Sequence, residues 1–192
     1  MKETLNLIRT LPVWWCVRTS PHKALVEADL RRWLQQDKKS FRSDFFALNH
    51  YLTHKKEFRN LLLHRLWNPS RTKLCKVHFL LARALWKPMD SLYLNTRHIG
   101  GGLYIQHGFA TIVAAKRLGD NCWINQQVTI GYNGDETPVL EDNVCVYCGA
   151  KVLGGLTMKT GSIAAAGAVV LQDVPENAIV GGVPAKVIKH RD

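Results

Sequence analysis

The chain has 192 residues, 46% hydrophobic and 21% charged, with a formal net charge of +11, which suits one large or two small globular domains. It contains no apolar run of 18 residues, which argues against a spanning helix. Pro12, Trp14 and Trp15 are not followed by the small residues of a signal-peptide cleavage site, and the 5 cysteines are odd in number, so a cytoplasmic, disulfide-free protein is expected.

Residues 1–90 form the first expected domain, basic and α-helical. They hold 18 Lys and Arg against 7 Asp and Glu, whereas 91–192 hold 8 of each. A basic face can meet nucleic acid, anionic lipid or an anionic substrate, or simply be solvated. Nucleic-acid binding would rest on net charge alone and is not expected. The apolar stretch 5–17 is short and carries Arg9. From Ser20 to about Trp86 the pattern is helical, with Ala24, Leu25, Ala28, Leu30, Trp33 and Leu34 at spacings of three and four. Ser20-Pro21 reads as a cap and a first-turn proline. Further helices are expected over 43–51, 55–67 and 71–86, with Asn68-Pro69-Ser70 separating the last two. Most of the tryptophans here are expected in the core. Trp14 and Trp15, beside Arg9 and Arg18, also suit a membrane interface. His50 and His54 lie four apart and read as a surface pair and not a metal site.

From Ile99 onward a six-residue rhythm replaces the helical one. Aliphatic or small residues recur at Leu118, Ile124 and Ile130, then at Leu140, Val146, Val152, Met158, Ala164 and Val170. A second small or aliphatic residue follows each by four, as at Cys122, Val128, Val144, Ala150, Leu156, Ser162 and Ala168. Upstream, Ile99, Ile105 and Ile112 continue the rhythm with one extra residue. A period of six fits a coil with three flat sides, stacked at roughly 4.8 Å so that each coil buries its neighbour. The repeats amount to about four coils. The stretch 132–139 breaks the rhythm with Asn133-Gly134-Asp135 and Pro138 and reads as a loop thrown out of the scaffold. Gly100-Gly101-Gly102 precedes no helix and reads as a turn in the first coil. Cys145 and Cys148 have zinc-like spacing without a second ligand pair, so packing at small repeat positions is the expectation.

The second half resembles the hexapeptide-repeat acyltransferases, and within them the serine acetyltransferase branch. The resemblance is carried by Ile105-Gln106-His107-Gly108, by the stretches from Ile124 to Gly131, Gly149 to Gly154 and Gly167 to Pro175, and by the closing run from Gly181 to Ile188. It implies an α + β chain: a basic α-helical domain over 1–90, then a left-handed parallel β-helix over 91–192 with a loop at 132–139 and a C-terminal tail. It implies a homotrimer, acetyl-CoA bound in the crevice between subunits, direct acetyl transfer to a hydroxyl and no metal. The family's catalytic histidine falls on His107, suited as a neutral base near its ordinary pKa of about 6.5. Family position assigns Gly131, Cys148 and Ala166 to the CoA crevice and Lys186 to a phosphate, although repeat geometry also accounts for Gly131 and Ala166. Gln106 and Gln126 are the candidate acceptor contacts, Gln126 with the cofactor as its alternative.

Three departures bear on the acceptor. Gln106 stands where that branch usually carries Asp, and Glu136-Thr137 stand where it carries an Arg-His pair that helps hold an amino acid. The carboxylate that would orient the base aligns with Leu92, with Asp90 two residues away. The run from His107-Gly108 to Val113 looks closer to colanic acid and capsular polysaccharide O-acetyltransferases. A sugar hydroxyl of a surface polysaccharide or its precursor is therefore the expected acceptor, with L-serine as the alternative and an inactive β-helical scaffold as the third. The basic half would then meet a lipid-linked or anionic acceptor near the inner membrane face.

Overall fold

The computed structural model describes residues 2–67 and 73–191, in two compact units, Met1–Met89 and Asp90–Asp192. The Asn68-Pro69-Ser70 break and the start of the expected helix at Arg71 lie outside the described residues.

The first unit contains helices α1 (Lys2–Thr19), α2 (Lys23–Asp37), α3 (Asp44–His54), α4 (Lys56–Trp67) and α5 (Lys73–Leu85). Helix α1 was not anticipated, because Pro12 sits inside it. An internal proline costs about 3 kcal/mol. Val13, Cys16 and Val17 are fully buried on the same helix, and their burial offsets that cost. Before α2, the Ser20 hydroxyl accepts a hydrogen bond from the His22 amide at 3.1 Å. The helix ends at Lys38, whose φ of 51° is left-handed. Trp33 meets Tyr51 and Phe58 edge-on at 5.5 and 5.2 Å between ring centroids, all three fully buried. Arg65 on α4 makes two hydrogen bonds to buried Asp29 on α2. The expected tryptophan core is only partly realised: Trp33 and Trp86 are buried, but Trp15 and Trp67 are exposed. The His50 and His54 rings lie tilted against each other with centroids 4.7 Å apart, and no metal-ligating cluster occurs among the described residues. No described helix is long and apolar enough to cross a membrane.

The second unit is a parallel β-solenoid. Leu92–Leu94, Thr111–Val113, Thr129–Gly131, Lys151–Leu153 and Val169–Val170 stack as one face. Tyr104–Ile105, Trp123–Ile124, Cys145–Val146, Ile163–Ala164 and Ala178–Gly182 make the second, and Ala185–His190 turns back antiparallel on its end. Arg117–Leu118, Val139–Leu140 and Thr157–Met158 form the third, extended by bridges at Ile99 and Val174. The five strands of the first face give about five turns, not four. The additional rung, Leu92–Leu94, lies ahead of the readable repeats.

Every repeat position from Leu118 to Val170 named above is buried. Asn121 and Asn143 take the left-handed conformation at the corners, where their short polar side chains are tolerated, and Gln127 takes it as well. Two expectations fail. Ile112 is 46% exposed, and Thr111 and Val113 on either side point inward. Cys145 is not a packing residue of the interior, since it begins a strand on which only Val146 is buried.

Candidate active-site corner

The corner between the second and first faces gathers most of the candidate residues, and backbone hydrogen bonds fix its register. On the upper turns Asn125 N donates to Val146 O and Gly149 N to Gln126 O, then Tyr147 N to Ala164 O and Gly167 N to Cys148 O. Gln126, Cys148 and Ala166 therefore stack in one file. On the lowest of these turns Gln106 N donates to Ile124 O at 2.9 Å, and Phe109 O accepts from Gln127 N at 3.0 Å. The residues between those two anchor points, His107 and Gly108, have no counterpart on the next turn. They form a two-residue insertion. Phe109 takes the place in the file above which Gln126 stacks, and His107 is displaced outward beside it.

This insertion explains the failure at Ile112. One extra residue predicts Ile112 inward; two make it Val113. The insertion is closed by the Phe109 amide donating to His107 O at 2.7 Å. His107 sits at φ 55° and Ala110 at φ 50°, a conformation uncommon outside glycine. His107 is exposed.

Gln106 is half-buried, and its Oε1 accepts a hydrogen bond from Asn125 Nδ2 at 3.1 Å. The Oε1 of Gln126 and the Oδ1 of Asn125 are buried without a partner, an unfavourable state that a bound polar group would relieve. Cys148 is half-buried and Ala166 exposed. Leu92, at the position expected for a carboxylate, is a buried strand residue paired with Thr111.

Gly131 ends its strand at the opposite corner of the first face, level with Leu153. Its φ is not left-handed, and a Cβ added there would meet nothing within 4 Å. Neither backbone conformation nor crowding within this chain requires glycine there. From Gly131 the loop turns through the Asn133–Glu136 bridge and folds back on Gly154-Gly155. A Cβ on Gly155 would collide with the Glu136 carboxylate. Lys186 pairs with Gly181 in the terminal hairpin and is exposed.

Sequence reasoning missed Asn125, the partner of Gln106, and Lys151. The Lys151 ammonium donates to Gln127 O at 2.9 Å and Gly149 O at 3.2 Å, bracing two turns of the same corner. An eight-residue step from Ile105 to Val113 was the available signal for the insertion; nothing marked Asn125 or Lys151.

No family model matches the chain. A serine acetyltransferase of Synechococcus elongatus is 40% identical over 95 residues, covering 47% of this chain and 39% of that protein. The chain thus spans less than half the length of that curated relative. A serine acetyltransferase of Staphylococcus aureus is 29% identical over 172 residues, 84% of this chain and 76% of that protein. The soybean serine acetyltransferase complexed with serine superposes with a TM-score of 0.64 at 26% identity, over 87% of this chain and 69% of that one. The chain is similar to the serine acetyltransferases. The 172-residue match to the staphylococcal serine acetyltransferase is longer than the solenoid unit and so extends into the helical one.

Proposed function

We propose that the chain transfers an acetyl group from acetyl-CoA to a hydroxyl, with His107 as general base. The single observation behind this reading is the insertion that lifts an exposed imidazole clear of an otherwise regular coil. An alcohol is far too weak an acid to ionise near neutrality, so a base must take its proton as the new bond forms. The hydroxyl oxygen attacks the thioester carbonyl while a His107 nitrogen accepts the hydroxyl proton. The carbon–sulfur bond then breaks, and the leaving sulfur recovers that proton from the imidazolium. The products are the acetyl ester and free CoA, with no covalent enzyme intermediate.

Under this reading Gly131, Cys148 and Ala166 line the donor crevice, where small residues let backbone amides approach the substrate. Lys186 would supply a point charge for a phosphate. A neighbouring copy completes the crevice, so the active species is a homotrimer. That donor agrees with the expected cytoplasmic location.

For the acceptor, L-serine is the reading we favour, because the relatives described above are serine acetyltransferases. A sugar hydroxyl is the second reading. Glu136 and Thr137 favour it, since a carboxylate in place of an Arg-His pair would repel the carboxylate of an amino acid. Free-thiol release from acetyl-CoA, with L-serine and a panel of sugars offered separately, tests both. His107→Ala should lower the rate about 10²- to 10⁴-fold. A loss under about tenfold would remove His107 from the chemistry, and no release with any acceptor would leave the scaffold reading standing.

A further inference from the structure

Two neighbouring helices of the first unit leave an unpartnered face. On α1, Leu5, Ile8, Leu11 and Trp15 are each more than half exposed, and their spacing of three and four sets them on one side of the helix. On α5, Val77 and Leu80 are 55% and 62% exposed. Lys73, Lys76 and Arg83 lie on the same side at helical spacing and are also exposed. The two helices pack together. Trp15 leans edge-on against His78 on the buried side of α5, with ring centroids 5.3 Å apart.

From the apolar and cationic residues that share the exposed side of α5 we infer that α5 forms a docking face for an anionic lipid surface, with the α1 stripe as a second apolar contact. An exposed tryptophan with aliphatic neighbours suits the boundary between headgroups and acyl chains. The cations of α5 match the negative potential of an anionic leaflet. The alternative occupant, a second copy of this face, is disfavoured by charge. It would set Lys73, Lys76 and Arg83 against like charges, and α5 contains no acidic residue to receive them. Separately, residues 1–90 carry the whole positive excess of the chain, so the field around the face also favours an anionic partner.

Co-sedimentation of the full-length protein with phosphatidylcholine vesicles, with and without phosphatidylglycerol, tests this without acetyl-CoA or acceptor. Its outcome is therefore independent of the acetyl-transfer reading. Binding should appear only with the anionic lipid and weaken as salt rises. The triple variant Lys73→Ala/Lys76→Ala/Arg83→Ala should lose about a hundredfold in partitioning, at about fivefold per cation. Leu80→Glu should lose at least about tenfold, with the helical circular dichroism unchanged in both variants. Equal binding to both vesicle types, or none to either, overturns the proposal. So does a larger assembly in size-exclusion chromatography that Leu80→Glu dissociates, because the face would then belong to self-association.

Discussion

Asn125 Nδ2 donates to Gln106 Oε1 across two turns of the solenoid, and this bond anchors the residue immediately before the His107 insertion. One such bond is worth about 1 kcal/mol net. Asn125→Ala should therefore reduce kcat about fivefold while changing thermal stability little. Steady-state kinetics beside a melting curve would show it. An unchanged kcat with a large drop in Tm would make Asn125 a purely structural residue.

Arg65 grips Asp29 through two parallel hydrogen bonds of 2.9 and 3.1 Å, with both side chains 2% exposed. Removing one partner strands a buried charge. Asp29→Ala should destabilise the helical unit by about 3–5 kcal/mol, read from denaturant unfolding. Replacing both residues with apolar ones of similar volume should cost much less. If the single variant loses under about 1 kcal/mol, the pair is not what it looks like.

Thiol reactivity should divide by site. Burial pushes the Cys16 thiol up to about 11 and the Cys122 thiol up to about 12. Alkylation needs the thiolate and access to it. Cys145 and Cys148 are half-buried only, and should be labelled first when modification is followed by mass spectrometry. Acetyl-CoA should slow labelling at Cys148 and leave Cys16 and Cys122 as unreactive as before. Protection absent at Cys148 under saturating donor would remove that residue from the crevice.

Acid should weaken the helical unit before it reaches the carboxylates. Burial first, then the charges of Arg65 and His22, hold His64 down to about 4. The unfolded chain takes up a proton near pH 6.5 that the folded unit refuses. The stabilisation is therefore complete above about 6.5 and is lost as pH falls toward about 4. It amounts to no more than about 3 kcal/mol. Unfolding free energies across that window, compared with His64→Gln, should show a shallower slope in the variant. Parallel slopes would mean His64 is hydrated in the folded state.

The six-residue rhythm made most of the second unit legible, because each side of every coil buries the same two positions and the order of residues exposes that pattern. What stayed hidden follows from the same logic. The His107-Gly108 insertion disturbs the count by two, and a rhythm with one free residue absorbs part of the disturbance, so Ile112 was placed inward. Asn125 and Lys151 lie on outward or corner positions, where the repeat constrains nothing and only the register brings them to the site. In the first unit the proline of α1 obscured a helix whose apolar face was otherwise readable, as burial of Val13, Cys16 and Val17 outweighed it.

The antiparallel hairpin that ends the solenoid bears on solubility. A stack of parallel strands is a template for fibrous growth, since an open rim accepts another chain as readily as its own next coil. Here the outermost strand, Ala185–His190, presents Lys186, Lys189 and His190 to solvent. Charged side chains on an edge strand disfavour pairing with another chain, so on this face the hairpin discourages further growth of the stack.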